Sequence, residues 1–233
     1  MQDLYTLLRT QTYSGRGIIL GTTPAGKAAI AYFIMGRSAS SRARKFERNG
    51  NGLAIKYTSD KNPDHPELIL YSPMKVLGNR IVVTNGDQTD TVIAGLALGG
   101  TFESALTTRM FEPDPPHYTA RISGMVTLIG GYPFFKLSVL KAGDDEGVTC
   151  VRNFFNYDPY PGSGRYIHTY MGGTEKLKTF EGEPWEVNIP EDIDEFTNTV
   201  WNGINEDNKV ALYVRMIDPA SGEYDDRLIN KYE

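Results

Sequence analysis

The chain has 233 residues, 40% of them hydrophobic, which is long enough for one large or two small domains with an apolar core. Its net charge of -5 argues against a general nucleic-acid binder, because such proteins are usually basic. The single cysteine, Cys150, excludes an internal disulfide, and we find neither a secretory signal nor an apolar run long enough to cross a membrane. We therefore expect a cytoplasmic protein with no membrane or nucleic-acid partner.

Strand-length apolar runs, rich in β-branched and aromatic residues, predict a protein with many strands. In chain order the runs span residues 17–20, 28–35, 67–71, 80–84, 121–129, 134–141, 148–155, 165–171 and 209–217. Gly, Pro, Asn or Asp separates most of these runs, as turns require. We expect residues 57–67 to form an exposed loop.

Two segments have the spacing of apolar residues that is typical of helices. The first spans residues 89–110, and the glycine pair at 99–100 is expected to divide it. Asp87 or Thr89 is its candidate N-cap. The second is expected to open at Pro190, since proline is favoured in the first turn of a helix.

The order of these elements predicts the fold class. Strands come in runs, with helices grouped between and after them, which indicates an α+β fold rather than alternating strands and helices. Two antiparallel sheets with helices outside them would bury all the apolar runs. The sequence has no internal repeat and no low-complexity linker, so we expect a single domain spanning residues 1–233.

A loop crowded with cations and hydroxyl groups follows the apolar run 28–35. Its members are Arg37, Ser38, Ser40, Ser41, Arg42 and Arg44. The planar guanidinium of arginine matches a phosphate bidentately, and serine hydroxyls can bind the remaining oxygens. The loop therefore predicts a site for a small anion. The alternative is a solvated, positively charged turn.

Two further loops carry candidate polar groups. Asn85 and Gly86 lie between a strand and a helix, where Asn85 can bind a polar ligand edge or simply form the turn. Glu112 and Asp114 stand among prolines in a stiff loop, as a pre-organised acid–base group requires. The alternative for this second loop is a rigid crossover with solvated acids.

Single residues outside these loops give less specific predictions of function. Tyr71 is either a polar site residue or a strand-end tyrosine with its hydroxyl in water, and Arg16 is either an anion ligand or a surface cation. The three histidines, His65, His117 and His168, are far apart and lack the spacing of metal ligands, so we expect no zinc site.

Four segments, taken in order, resemble the archaeal-type inosine monophosphate (IMP) cyclohydrolases and their bacterial relatives. They are GRGIILG at 15–21, YFIMGRSASSR at 32–42, VTNGDQTDT at 83–91 and EPDPPHYTARI at 112–122. The resemblance implies a four-layer αββα sandwich of the N-terminal-nucleophile hydrolase type. It also implies the last step of purine biosynthesis, in which 5-formamido-1-(5-phosphoribosyl)imidazole-4-carboxamide, here called the formamido ribotide, closes to IMP and water.

The resemblance assigns roles residue by residue. As catalytic residues it implies Arg42, Tyr71 and Glu112. As substrate-binding residues it implies Arg16, Arg37, Ser38, Asn85, Gly86 and Arg121. It further implies a small ribonucleotide substrate, no cofactor or metal, and a homo-oligomer, as in the tetrameric family members. Ser41 and Ala120 depart from the family pattern, where asparagine and proline are common, which puts only local loop geometry in question.

Two other functions stay open on the sequence. An amide hydrolase of this fold would need a nucleophile at the chain start, for example after cleavage before Ser14. A nucleotide-binding regulator would keep the arginines that bind phosphate but would have no need of Glu112.

Overall fold

The computed structural model of the protein describes residues 1–58, 70–172 and 177–232. Within these residues the helices are α1 (Leu4–Thr10), α2 (Ala39–Arg42), α3 (Gln88–Ala97), α4 (Phe102–Leu106) and α5 (Ile193–Gly203). The strands of the first half are β1 (Arg16–Thr22), β2 (Ala28–Met35), β3 (Arg44–Asn49), β4 (Gly52–Tyr57), β5 (Met74–Leu77) and β6 (Arg80–Thr84). Those of the second half are β7 (Arg121–Ile129), β8 (Tyr132–Ala142), β9 (Cys150–Tyr157), β10 (Ser163–His168), β11 (Trp185–Asn188), β12 (Lys209–Ile217) and β13 (Tyr224–Asn230).

The strands form two antiparallel sheets. Sheet A has six strands in the order β11-β10-β1-β2-β12-β13, and sheet B has seven in the order β3-β4-β5-β6-β7-β8-β9. The predicted α+β class with two antiparallel sheets is confirmed.

Three apolar clusters show how the layers stack. The largest lies between the sheets, where Ile18 and Ile34 of sheet A share a core with Val83 and Ile122 of sheet B. A second cluster packs α1 and α5 on the other face of sheet A. The third packs α3 and α4 on the other face of sheet B. Together the clusters give a layer order of helices, sheet, sheet and helices, which is compatible with the sandwich that the resemblance implies.

Several predicted strands are confirmed, and others need correction. The runs 28–35, 80–84, 121–129 and 209–217 are strands with the predicted bounds. The run 165–171 ends as a strand at His168, after which Tyr170 makes only an isolated bridge to Thr179. The described residues do not include positions 67–69 of the predicted strand 67–71, most of the predicted loop 57–67, or His65. The described end of that predicted strand, Leu70 and Tyr71, is not a strand.

The helical segments were predicted in the right places, but their caps differ. The segment 89–110 is divided near Gly99, whose φ of 83° is the left-handed conformation that glycine favours. Asp87 precedes α3 without a capping hydrogen bond from its side chain, because its carboxylate pairs with arginines instead. Helix α5 begins at Ile193 rather than Pro190, since the side chain of Asp192 accepts from the first free N–H groups.

The strand register brings the candidate residues to one end of the sandwich. In sheet A, Arg16 of β1 lies opposite Ile34, near the end of β2. In sheet B, Thr84 ends β6 opposite Ser123, near the start of β7. The loops that follow β2 and β6, and the loop that precedes β7, therefore leave the sheets where Arg16 enters. No helix among the described residues is long and apolar enough to span a membrane.

Candidate functional site

A buried carboxylate lies at the centre of this end. Glu112 is only 2% exposed, and its Oε2 lies 3.4 Å from Nη2 of Arg16. Its Oε1 is 3.5 Å from Nδ2 of Asn85, at the outer limit of a hydrogen bond. The oxygen of the Asn85 side chain accepts from the Ile122 N–H at 2.8 Å and from Nε2 of Gln88 at 2.9 Å. Asn85 is thus fixed by its neighbours, and its amide faces the carboxylate.

The surroundings of Glu112 disfavour its charged form. Burial raises the pKa of its carboxyl above the ordinary value, and the charge of Asp114 adds to this, while Arg16, Arg121 and Arg44 act in the opposite direction. Burial also disfavours the charge of Arg16, but Glu112 raises the pKa of that guanidinium, which stays a cation. A carboxyl with a raised pKa holds a proton more readily than an ordinary one, which suits a group that takes up and releases a proton.

Two buried tyrosines adjoin this pair. Tyr71 is 8% exposed, and its hydroxyl lies 2.8 Å from that of Tyr32 in β2. Burial raises the pKa of Tyr71, with Arg16 and Arg44 acting against it, so the phenol is neutral and can donate a hydrogen bond. The interpretation of Tyr71 as a strand-end residue with its hydroxyl in water is therefore wrong.

A second buried arginine, Arg44, was not singled out for a role at the sequence level. It opens β3, and its guanidinium donates to the carbonyls of Met35, at 3.0 Å, and Ser41, at 2.8 Å. Burial and the like charge of Arg16 lower its pKa, and Tyr71 acts against them. Since arginine stays protonated in proteins, Arg44 adds a fixed cation to the site.

Arg121 and Gly86 lie beside each other, next to Gln88. Nη1 of Arg121 lies 2.7 Å from Oε1 of Gln88 and 2.7 Å from Oδ1 of Asp87. A side chain at Gly86 would meet that same Arg121 nitrogen and the Gln88 side chain, so glycine lets both approach the backbone closely. Asp87 also accepts from Arg109 at 2.5 Å, which explains why it does not cap α3.

The cation-rich loop after β2 lies at the edge of the site, and much of it is exposed. Ser38 is exposed and caps α2, with Ser41 completing a reciprocal capping box. Nε of Arg42 donates to the Gly36 carbonyl at 3.0 Å. The guanidinium of Arg37 lies 4.9 Å from the ring centre of Tyr13, which stacks on Tyr170. The structure therefore brings Arg16, Tyr71, Asn85 and Glu112 together, while Arg37 and Ser38 lie at the rim.

The two departures from the family pattern fall in ordered positions. Ser41 contributes to the cap just described, and Ala120 is fully buried with its carbonyl accepting from Nδ2 of Asn85 at 2.9 Å. Both loops are thus internally bonded. Among the residues that the structure describes, no three His, Cys, Asp or Glu side chains are grouped to bind a metal ion.

A cavity of about 580 Å³ lies at the opposite end of the sandwich, between the turns at 78–79, 130–131 and 219–222. Its charged lining residue, Arg215, donates to the Asn51 carbonyl and to the hydroxyl of Tyr213, both at 2.9 Å. Arg215 thereby joins sheet A to the turn between β3 and β4. We therefore assign Arg215 a structural role. The end of the sandwich that holds the buried Glu112 carboxylate remains the candidate site.

Comparison with known proteins decides the family. A family model described as "IMP cyclohydrolase-like protein" matches residues 13–222, which is most of the chain and includes every candidate residue. The chain belongs to the IMP cyclohydrolase-like family. This membership agrees with the four motif segments, all of which lie inside the match.

The chain is similar to several curated proteins of archaeal methanococci. The chain is 36% identical over 90 residues to a protein of Methanocaldococcus jannaschii, covering 37% of this chain and 43% of that protein. It is 31% identical over 127 residues to one of Methanococcus maripaludis strain C6, covering 52% and 61%. It is 26% identical over 102 residues to one of Methanococcus aeolicus, covering 44% and 50%. All three carry the name IMP cyclohydrolase, and the chain spans about half the length of the curated relatives it matches.

Proposed function

We propose that the protein is an IMP cyclohydrolase that closes the formamido ribotide to IMP and water. The observation that carries the proposal is the buried Glu112 carboxyl, which faces both the Arg16 guanidinium and the Asn85 amide. Family membership and the names of the relatives support it.

The reaction needs proton transfer and charge stabilisation rather than a new oxidation state. The carboxamide nitrogen attacks the formyl carbon, a C–N bond forms, and the formyl oxygen becomes a hydroxyl. One proton from the carboxamide nitrogen and one from the formamido nitrogen leave with that oxygen as water. The net change is loss of water, so we expect turnover without an added cofactor or metal.

Glu112 is the group best suited to move these protons. An amide nitrogen is a weak nucleophile, so its proton must leave as the new bond forms. A carboxyl with a raised pKa can take that proton and deliver it to the departing oxygen. Arg16 stabilises the carboxylate form of Glu112 before the first transfer and after the second.

Hydrogen-bond donors must stabilise the oxygen on which charge develops. The neutral phenol of Tyr71 and the guanidinium of Arg44 are pre-organised by burial, and each such donor typically contributes about 3 kcal/mol. Arg42 remains a predicted donor from the family pattern, with its Nε engaged by the Gly36 carbonyl. Asn85, Gly86 and Arg121 are proposed to shape the pocket for the base.

The ribotide phosphate is assigned to the rim. It carries close to two negative charges, and Arg37 and Ser38 present an exposed cation and hydroxyl beside the buried group. From the resemblance we also propose a single domain of the N-terminal-nucleophile hydrolase type, a homo-oligomeric assembly and a cytoplasmic location.

A direct assay tests the function. Purified protein is mixed with the formamido ribotide without metal or cofactor, and purine-ring formation is followed by ultraviolet absorbance. Turnover that is lost in Glu112→Gln supports the proposal. Absence of turnover in the unaltered protein, together with a rise in Tm on adding IMP, would favour the nucleotide-binding regulator. Intact mass spectrometry addresses the amide hydrolase, which requires cleavage before a nucleophile such as Ser14.

A further inference from the structure

The loop that carries Glu112 is closed on itself through Thr119. The N–H of Glu112 donates to the Thr119 carbonyl at 2.8 Å. The N–H of Thr119 donates to Oδ1 of Asp114 at 2.7 Å, and its hydroxyl donates to Oδ2 of the same carboxylate. Thr119 therefore connects the backbone of Glu112 to the side chain of Asp114, which spans the loop.

The Thr119 hydroxyl also reaches the other sheet. Its oxygen is within hydrogen-bond distance of the hydroxyl of Tyr170. Because the Thr119 proton points to Asp114, the phenol of Tyr170 is the donor in this second bond. Burial raises the pKa of Tyr170 to about 12, so the phenol keeps the proton that it donates. The chain runs from Tyr170 through Thr119 to Asp114.

Tyr170 is firmly held on the sheet A side. It is 5% exposed, and its ring stacks on that of Tyr13 with centroids 6.0 Å apart. Its N–H donates to the Ser14 carbonyl at 3.2 Å. A side chain at Gly15, whose φ is 73°, would collide with the Tyr170 ring. Tyr170 thus lies directly against the segment that leads into Arg16.

These contacts form a further connection between the segment after β10 and the loop before β7, beside the Arg16–Glu112 pair. We propose that Tyr170, Thr119 and Asp114 act as positioning residues that fix Glu112 opposite Arg16 for ring closure. The inference deepens the proposed function and rests on it. It assigns to the Asp114 side chain a structural task in catalysis, in place of the solvated acid that the sequence left open.

Substitutions that delete single hydroxyls test the hydrogen-bond chain from Tyr170 to Asp114. Thr119→Val preserves shape and removes both hydroxyl bonds, Tyr170→Phe keeps the stacked ring, and Thr119→Ser keeps the hydroxyl. Thr197→Val is the matched control. Thr197 is a buried threonine of α5 whose hydroxyl donates to the Ile193 carbonyl, and α5 packs on the outer face of sheet A. Steady-state kcat and KM with the formamido ribotide are measured for each variant.

Positioning and substrate contact predict different kinetics. We expect Thr119→Val and Tyr170→Phe each to lower kcat about tenfold with KM nearly unchanged, because misplacing a reacting group reduces rate more than binding. Thr119→Ser and Thr197→Val should retain the kcat of the unaltered protein within about twofold, and the Thr119→Val/Tyr170→Phe double variant should be no slower than the slower single variant. The positioning role would be overturned by an unchanged kcat in Thr119→Val or by a rise in KM alone. Fully additive losses of kcat in the double variant would overturn it as well.

A second readout does not depend on turnover. The pKa of Glu112 is measured by carbon NMR of labelled glutamate, assigned with Glu112→Gln. The charges that face Glu112 are those of Arg16 in β1, Arg44 in β3, Arg121 in β7 and Asp114 in its own loop.

Loosening the loop should admit water, so we expect Thr119→Val to bring the Glu112 pKa down toward its ordinary value. Asp114→Asn should lower it as well, because it removes a neighbouring negative charge. An unchanged pKa in Thr119→Val contradicts positioning. A lowered pKa in a protein that never turns over the ribotide would reject the proposed function and leave the positioning chain standing.

Discussion

Arg16 and Glu112 meet across the mouth of the sandwich, with Nη2 of the arginine 3.4 Å from Oε2 of the carboxylate. Arg16 belongs to β1 of sheet A, and Glu112 to the loop that leads into β7 of sheet B. Each sheet thus supplies one half of the pair. The geometry of the proposed chemistry therefore depends on how the two sheets are stacked.

The first prediction concerns the proton shuttle. Glu112→Gln keeps the size of the side chain but cannot exchange a proton, so we expect kcat to fall by about 100-fold or more with little change in KM. Steady-state assays of ring closure provide the measurement. Glu103→Gln is the control, because Glu103 pairs with Lys136 on the helix side of sheet B. Equal kcat for Glu112→Gln and the unaltered protein would exclude the shuttle.

The second prediction concerns stability as a function of pH. Because burial raises the pKa of Glu112, the folded state binds this proton more tightly than the unfolded chain does. The carboxylate therefore lowers stability above the raised pKa, and this loss disappears as pH falls below the ordinary value of about 4.3. We expect Glu112→Gln to have a higher Tm than the unaltered protein at pH 8, with a difference that shrinks toward pH 4.

Asp226→Asn provides the opposite case. Although burial opposes it, hydrogen bonds from Arg48 and Tyr213 lower the pKa of Asp226. Its charge stabilises the fold above the ordinary carboxyl pKa, and that contribution is lost as pH falls through the lowered value. Asp226→Asn should thus lower Tm at pH 8. A lower Tm for Glu112→Gln at pH 8 would instead show that its carboxylate stabilises the fold.

The third prediction separates the paired tyrosines. Tyr71 faces Arg16 and Arg44, and its hydroxyl meets that of Tyr32. If Tyr71 donates to the reacting oxygen, Tyr71→Phe should lower kcat by roughly 100-fold. Tyr32→Phe should have a smaller effect, since it removes only the support of Tyr71. Single-turnover rates distinguish the two, and a larger loss in Tyr32→Phe would reverse their assigned order.

The fourth prediction places the phosphate. Arg37→Ala should raise KM for the ribotide about tenfold and leave kcat nearly unchanged, because it removes one charge-assisted contact at the rim. Arg227→Ala is the control, since Arg227 pairs with Asp194 at the outer helix layer. The decisive comparison uses the formamido riboside, which lacks phosphate. If Arg37 binds phosphate, the riboside should bind the variant and the unaltered protein equally well.

The sequence was informative where a strand is buried on both faces. The runs 28–35 and 209–217 are buried along their entire length, so their ends follow directly from composition. Strands β3 and β13, by contrast, lie at sheet edges and read RKFERN and YDDRLIN. Their charged residues hide the alternating pattern, and only pairing with a neighbour makes them strands.

Within the candidate site, the sequence singled out loop residues and also Arg16 and Arg121 at the starts of strands, but it gave no separate role to Tyr32 or Arg44. Glu112 and Asn85 stand out because they are polar residues in loops with turn-forming neighbours. Tyr32 lies in the middle of an apolar run, where a tyrosine is indistinguishable from core, and its bond to Tyr71 depends on packing between sheets. Arg44 was visible in the basic cluster, but its burial depends on how β3 docks. Pattern analysis contains no information about such docking.

The distance along the chain between Arg16 and Glu112 has a consequence for folding. They are 96 positions apart, and their meeting brings a strand of sheet A against the loop that leads into sheet B. Contacts between distant segments close late and slowly, because the loop entropy must be lost before the contact forms. A folding intermediate with every hairpin paired would still lack the carboxylate–arginine pair. Recovery of activity after dilution from denaturant should therefore follow the docking of the two sheets, and lag behind the return of strand content.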